Sequence, residues 1–516
     1  MGFAKVQSAQ TFLLKAHIVD VEVDSFKGLP SFSIVGLPDK AVEEAKDRVS
    51  AAIKNLGFRS PKTRNQKITV SLAPASLKKE GAIFDLPITL AYLLSTGEIS
   101  FNPEGKLFLG ELSLDAKLRP IRGALPITLE ARNKGFTEVY LPEENAKEAA
   151  VIDGIKIFGA KTAEEILRHL RKGKKRDGGE KEKFSLKETP RTEIFEEETD
   201  YEYDVSSVRG QEFGKRALLI CASGGHNLSL EGPAGTGKTM LARALPSILP
   251  PLSFEEMLEV MAIHSINGVL EERGLISSPP FRSPHHTSSY AALVGGGANL
   301  RPGEITLAHR GVLFLDEFPE FERRVIESLR EPLEEGKISL SRSKGSSTFP
   351  ARFIFVAALN PCPCGNLGSS KECVCTAINI QRYRKKISGP IADRIDIHVT
   401  VPLIPHEKLL EKRSGETSES FRKKVLRARE IQQKRNSVLK KKGKLNAHLS
   451  ARDIEELIHL GEKEKKILNE SAEKLKLSPR AYHKTIKVAR TIADLDESED
   501  IKVPHILEAF QYRKRE

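Results

Sequence analysis

Gly232, Pro233, Ala234, Gly235, Thr236, Gly237, Lys238 and Thr239 follow one another in the spacing G-x-x-x-x-G-K-[ST], a pattern suited to holding phosphate. Its glycines let backbone N–H groups turn inward around an anion, and Met240-Leu-Ala-Arg-Ala-Leu245 reads as the helix whose N-terminus faces that anion. Lys238 then neutralises the β and γ oxygens of ATP, and Thr239 is a ligand for Mg²⁺. The bland alternative is a chance glycine-rich loop. Against it stand the apolar run from Leu228 just before and the helical run just after, the strand–loop–helix setting that such a loop needs.

A second chemical cluster follows. Val312-Leu-Phe-Leu315 reads as a buried strand ending in two carboxylates, Asp316 and Glu317. Asp316 is the candidate for the Mg²⁺ side and Glu317 for the base that activates water. A third strand, Phe353 to Leu359, ends in Asn360, whose neutral amide can hold the attacking water near the γ-phosphate. If the motor is a ring, the transition state needs a cation from a neighbouring subunit, and Arg394 and Arg480 are the candidates. For both, a surface salt bridge is the competing reading.

Five cysteines in 516 residues cannot form a disulfide scaffold, yet four of them fall between Cys362 and Cys375. Cys362, Cys364, Cys373 and Cys375 form two C-x-C pairs with Gly365 and Gly368 between them, and four thiolates can surround one tetrahedral Zn²⁺. Zinc ribbons favour C-x₂-C pairs, so reduced buried thiols and a redox-labile pair remain the alternatives. Cys221 stands apart and reads as a small core residue. Glu335 to Thr348 reads as a basic hairpin, whose Arg342 and Lys344 either hold a DNA backbone or only keep a loop soluble. His285 and His286, adjacent in an extended segment, are expected on opposite faces without a carboxylate cluster, so contact within a ring or with DNA is expected of them rather than a metal. Lys440 to Lys444 is a lysine-rich turn that either touches phosphate or is simply solvated.

These groups need elements to position them. At this length two or three domains are expected. Residues 1–168 read as a mixed α+β domain, with strands at Ala16 to Val23 and Ser31 to Val35 and a helix from Ala41 to Leu56. Residues 169–200 are charged and nearly free of apolar side chains before Phe184, which predicts a flexible linker. Short apolar runs alternate with helical segments over 201–405, the pattern of a parallel sheet with crossovers. From 406 to 516 the periodicity is helical, with Phe421, Val425 and Ala428 on one face. Lys+Arg exceed Asp+Glu by 82 to 70, a net +12 that invites a polyanion. No run approaches the ~18 apolar residues of a membrane span, and no export signal is evident, so the cytoplasm is the expected location without membrane contact.

Together these residues closely resemble the magnesium-chelatase-like AAA+ proteins of the YifB/ComM family. The resemblance is carried most specifically by Ser283-Pro-His-His-Thr287, by Arg301 through Glu317, by Leu359-Asn-Pro-Cys-Pro-Cys-Gly365, and by Arg480 through Asp494. It covers nearly the whole chain. It implies an α/β architecture with an AAA+ P-loop core and a C-terminal helical lid. It also implies a homo-hexameric ring with Arg394 in the place of the arginine finger and Arg480 in that of the second sensor. Finally it implies work on single-stranded or branched DNA, since proteins of this family are regarded as helicases that drive branch migration during natural transformation. The N-terminal domain resembles the Lon-protease proteolytic fold around Gly110 to Ile121. Asp85 and Leu125 stand where that fold places its Ser and Lys, so no peptidase activity is expected. The leading expectation is thus a DNA-stimulated ATPase. A magnesium-chelatase-like motor, or a protein remodeller that ignores DNA, is the alternative.

Overall fold

The structure, a computed structural model, describes residues 2–12, 14–171, 184–193, 203–268, 276–296, 301–342, 345–387, 389–405, 416–437 and 444–513. The chain divides into two compact units, Met1–Phe195 with Met261–Leu275, and Glu196–Val260 with Ile276–Glu516.

In the first unit, β1 (Gly2–Phe12) pairs antiparallel with β2 (Lys15–Lys27), placing Val6 opposite Val21. Val19, Val21 and Val23 alternate with polar residues along β2 and are fully buried, as the period-two pattern predicts. The sheet continues through β3 (Ser31–Val35), β4 (Gln66–Ala73), β5 (Lys106–Phe108), β8 (Glu138–Pro142) and β9 (Lys156–Ala160), in the order β3-β4-β2-β1-β5-β8-β9. Between β5 and β8, β6 (Glu111–Leu112) and β7 (Leu118–Arg119) make a separate ribbon. The expected helix spans Lys40–Asn55; the Asp39 side chain caps it by accepting from the Val42 N–H, and its Val42, Ala45, Val49 and Ile53 enter the core.

Asp85 opens the helix Asp85–Ser95 and is wholly buried. It accepts from Arg48 Nε at 2.8 Å, Arg48 Nη2 at 3.1 Å and the Leu112 N–H at 3.2 Å. Burial pushes its carboxyl up to about 6 despite the guanidinium, which pulls the other way. Leu125 is buried in the helix Ala124–Asn133, where its N–H donates to Glu148 Oε1 at 3.0 Å.

Of the stretch 169–200 read as a linker, residues 172–183 and 194–200 lie outside the described residues. Residues 184–193 run along the first unit. The Arg168 guanidinium sits 4.5 Å from the Phe184 ring centroid, and the amides of Thr189 and Thr192 donate to the carbonyls of Ile157 and Ala150 at 2.8 and 3.1 Å. Phe184 and Leu186 give this otherwise charged stretch its apolar anchors.

The second unit is built on a parallel sheet of β10 (Leu228–Glu231), β11 (Phe281–Arg282), β14 (Val312–Leu315), β17 (Ile354–Leu359) and β18 (Ile397–Thr400), ordered β11-β14-β17-β10-β18. Alternate residues of the central strands feed two different cores. Val312, Phe314, Ile354 and Val356 enter one, and Leu313, Leu315, Phe355 and Ala357 the other. Burial on both faces is why these strands read as unbroken apolar runs. The first of these cores also takes in Val425, Ile486 and Ile506 from the C-terminal helices Ser418–Ser437, Pro479–Leu495 and Val503–Gln511. Phe421, Val425 and Ala428 are buried together, as the helical spacing predicts. Two small pairings complete the strands, β12 (Gly295–Gly296) with β13 (Arg301–Pro302), and β15 (Lys337–Arg342) with β16 (Gly345–Pro350).

The Asp85–Arg48 pair gives a test of the first unit. Asp85→Ala strands a partly buried guanidinium and is expected to cost about 3–5 kcal/mol in urea unfolding; a loss under about 1 kcal/mol would show that the pair does not hold the fold.

Candidate active site

The phosphate-binding sequence leaves β10 at Glu231 and enters the helix Lys238–Ile248. Its turn needs glycine at three points. Gly235 and Gly237 have φ of 80° and 89°, and a Cβ on Gly232 would lie 2.3 Å from the Val401 carbonyl oxygen. The neighbouring strand pins the turn: the Gly232 N–H donates to the Leu359 carbonyl at 3.1 Å, and the Ala234 N–H to the Gly365 carbonyl at 3.2 Å.

Lys238 is buried, and its Nζ donates to the carbonyls of Gly232 and Pro233 at 2.6 and 2.8 Å and to Asn360 Oδ1 at 3.2 Å. Burial lowers its pKa, with Asp316 and Glu317 opposing that shift from nearby. Thr239 Oγ1 donates to Asp316 Oδ2 at 2.8 Å. The three motifs, far apart in sequence, therefore meet through two side-chain contacts: Asn360 through Lys238, Asp316 through Thr239. The hydroxyl–carboxylate pair is a hard-oxygen donor set of the kind that would suit Mg²⁺ accompanying a bound phosphate.

Glu317 holds a left-handed backbone, φ 51°, uncommon for a residue with a side chain. Its amide donates to Asp316 Oδ1 at 2.9 Å, and its Oε2 lies 3.3 Å from His286 Nδ1. This corrects the expectation for the adjacent histidines. Their ring centroids are 4.2 Å apart at a tilt of 32°, so the rings lie against each other rather than on opposite faces, and His286 meets the single carboxylate of Glu317. The turn at His285, where Thr287 N–H donates back to the ring, breaks the extended run that would have alternated them. Gln211 was not singled out by its sequence context, yet its Nε2 donates to the Thr236 carbonyl at 3.1 Å and the Pro402 carbonyl at 2.7 Å, bracing the loop.

Arg394 and Arg480 are brought to each other. Arg394 donates to the Pro390 carbonyl at 2.6 Å and to Glu334, and Arg480 Nη2 donates to the other oxygen of the same carboxylate at 2.7 Å. Their positive charges hold Glu334 below the usual carboxylate range, the Arg394 contact foremost. Among the described residues neither arginine bonds to the phosphate loop or the acidic pair.

The four clustered cysteines converge, their sulphurs all within 4.8 Å of one another. Cys362 lies 3.4 Å from Cys364 and 3.6 Å from Cys373, and Cys364 lies 3.6 Å from Cys373. Tetrahedral Zn²⁺ with Zn–S of ~2.3 Å sets its sulphurs ~3.8 Å apart, close to this arrangement. The Asn366 amide, aimed at Cys364, pulls that thiol down to about 6. Cys221, by contrast, is buried and donates to the His226 carbonyl at 2.9 Å, in keeping with a core role.

The basic hairpin is present as β15 and β16, paired from Lys337↔Pro350 to Arg342↔Gly345. The Arg342 side chain and all of Lys344 lie outside the described residues. So do residues 438–443, while Lys444 Nζ lies 3.3 Å from Asp453 Oδ2. No described helix is long and apolar enough to cross a membrane.

Three family models match the chain: magnesium chelatase, subunit ChlI, over residues 204–409; subunit ChlI of Mg-chelatase over 21–145; and magnesium chelatase, subunit ChlI C-terminal, over 415–513. The competence protein ComM of Haemophilus influenzae is 41% identical over 522 residues, which span 99% of this chain and 98% of that protein. The protein YifB of Escherichia coli is 42% identical over 516 residues, 99% of this chain and 97% of the other. The magnesium-chelatase 38 kDa subunit of Rhodobacter capsulatus is 27% identical over 176 residues, covering 31% of this chain and 50% of its own length.

An ammonium held among neutral oxygens is poised for an anion. Lys238→Ala is expected to weaken equilibrium binding of a fluorescent ADP by about 100-fold, roughly the 3 kcal/mol of a charge-assisted contact, with the thermal melt unmoved. Unchanged affinity would place the nucleotide elsewhere.

Proposed function

The chain belongs to the YifB/ComM family of magnesium-chelatase-like AAA+ ATPases, and on that footing we propose that it is a cytoplasmic DNA motor, a homo-hexameric ring that hydrolyses ATP to drive branch migration or related remodelling of DNA. The observation that supports this best is the meeting of Lys238, Asn360, Thr239 and Asp316 beside Glu317, a full set of hydrolytic groups in one place.

In this reading the loop amides and Lys238 bind the triphosphate. Asn360, released from Lys238, orients a water, and Glu317 takes its proton as the water oxygen bonds to the γ-phosphorus and the bond to the β–γ bridging oxygen breaks, leaving ADP. Thr239 and Asp316 hold Mg²⁺, which supplies charge neutralisation at the phosphates when bound. His286 restrains the Glu317 carboxylate. Arg394 and Arg480, joined through Glu334 and, among the described residues, not bonded to their own phosphate loop, serve a neighbouring subunit's nucleotide. The β15–β16 hairpin, rooted between the strand of the acidic pair and the strand of Asn360, carries Arg342 and Lys344 to the DNA backbone without reading sequence. The net charge of +12 favours the same partner. Cys362, Cys364, Cys373 and Cys375 hold one structural Zn²⁺.

The match to chelatase models favours one alternative, a motor or protein remodeller indifferent to DNA. The ATPase rate separates the two. Single-stranded or branched DNA should raise turnover several-fold, Glu317→Gln should abolish it while keeping nucleotide bound, and raising salt from about 50 to 200 mM should erase the DNA effect. Turnover that ignores DNA at both salts would favour the alternative. Metal analysis of the purified protein should find about one zinc per chain, and none after all four cysteines are changed to serine; zinc-free wild-type protein that takes up none when offered it would remove the metal from this picture.

A further inference from the structure

Residues 366–376 make an excursion from the sheet that has no buried side chain to hold it, and its Val374 is 81% exposed. A loop of this length without an apolar anchor loses more conformational entropy on ordering than its few backbone bonds return. What closes it is the sulphur cluster, with Cys362 and Cys364 at its start and Cys373 and Cys375 at its end. The turn between them is left-handed at Gly365 and Gly368, with φ of 75° and 80°. It is tightened by bonds from the Gly365 N–H to the Cys362 carbonyl at 3.0 Å and from the Leu367 N–H to Cys362 Sγ at 3.4 Å.

That turn is also a wall of the nucleotide site. The Gly365 carbonyl accepts from Ala234 of the phosphate loop, and the Leu359 carbonyl from Gly232. A Cβ built on Gly365 would touch Ala234 Cβ at 3.6 Å, and one on Gly368 would reach Pro233 Cγ at 4.0 Å. Asn360, which receives Lys238, lies two residues before Cys362. The amides of Gly232 and Ala234 are already taken by these carbonyls, which leaves the residues nearer the helix start at Lys238 to meet an anion.

We infer that the cysteine cluster is a metal-dependent clasp on the nucleotide site: with Zn²⁺ on its four thiolates the 359–368 segment holds the phosphate loop in its binding shape, and loss of the metal loosens that grip. This rests on the reading of the cluster as a zinc site. Four thiolates select Zn²⁺ over the hard Mg²⁺ that accompanies ATP, so the two metals act independently at adjacent places. Zinc supply then sets nucleotide affinity without any contact between zinc and nucleotide.

The test uses the full-length protein at constant millimolar Mg²⁺, with zinc measured by mass spectrometry and a fluorescent ADP as the probe. Stripping zinc with a thiophilic reagent and then removing the reagent should weaken ADP binding by about ten-fold or more, and zinc, but not further Mg²⁺, should restore it. Zinc present but affinity unchanged on stripping would overturn the clasp and leave the metal site standing. A protein that never takes zinc would overturn both. Should stripping unfold the chain, Cys375→Ser keeps three thiolates and lowers zinc affinity; in a zinc titration its ADP affinity should rise in step with metal occupancy, and a flat response sinks the inference.

Discussion

A buried ammonium surrounded by neutral oxygens is the interaction on which this molecule turns. Lys238 finds two carbonyls and one amide oxygen, with no carboxylate in direct contact among the described residues. Burial penalises its charge, and only an anion brought to it can compensate fully. Holding such a group requires a loop that cannot collapse, which is why the turn is bonded at Gly232 and Ala234 to Leu359 and Gly365 and braced by Gln211. The surrounding fold supplies those bonds.

They exist because the strands are parallel and end on one side. β10 runs beside β17 and β18, and β17 beside β14, so the phosphate loop, Asn360 and the acidic pair leave the sheet at the same edge. The C-terminal helices reinforce that edge from the far end of the strands. Asp396, just before β18, is buried; burial alone would raise it, but Lys484 at 2.7 Å and the neighbouring His226 hold it well below its ordinary range. Lys484 belongs to the helix Pro479–Leu495, which also carries Arg480, so this ion pair ties the second arginine's helix to the sheet.

Much of this was legible in the residues because the physics is local. A glycine-rich turn between a strand and a helix, and strands buried on both faces, leave marks in spacing and apolar content. Asp316, Glu317 and Asn360 were found as strand-terminal polar residues for that reason. Other parts left no such mark. Glu334 meets Arg480 across 146 positions, and nothing in its own helix distinguishes it from its neighbours Glu331 and Glu335. Gln211 works through backbone carbonyls, which no side-chain pattern reveals. The division between the units at Val260 and Met261 falls inside the helix Phe254–Asn267, and nothing in that helix's own sequence marks it. The charged stretch around 184–193 shows the same limit from the other side: two apolar residues and a pair of backbone bonds seat it, and composition averaged over the stretch hides them.

Glu334 stands between Arg394 and Arg480, one carboxylate answering two guanidinium groups. The three positions therefore constrain one another's inheritance. Changing Glu334 alone leaves two like charges side by side, and changing either arginine alone gives the remaining one an undivided hold on the carboxylate. The effects of single substitutions here will not sum, and drift at one position narrows what the other two can become.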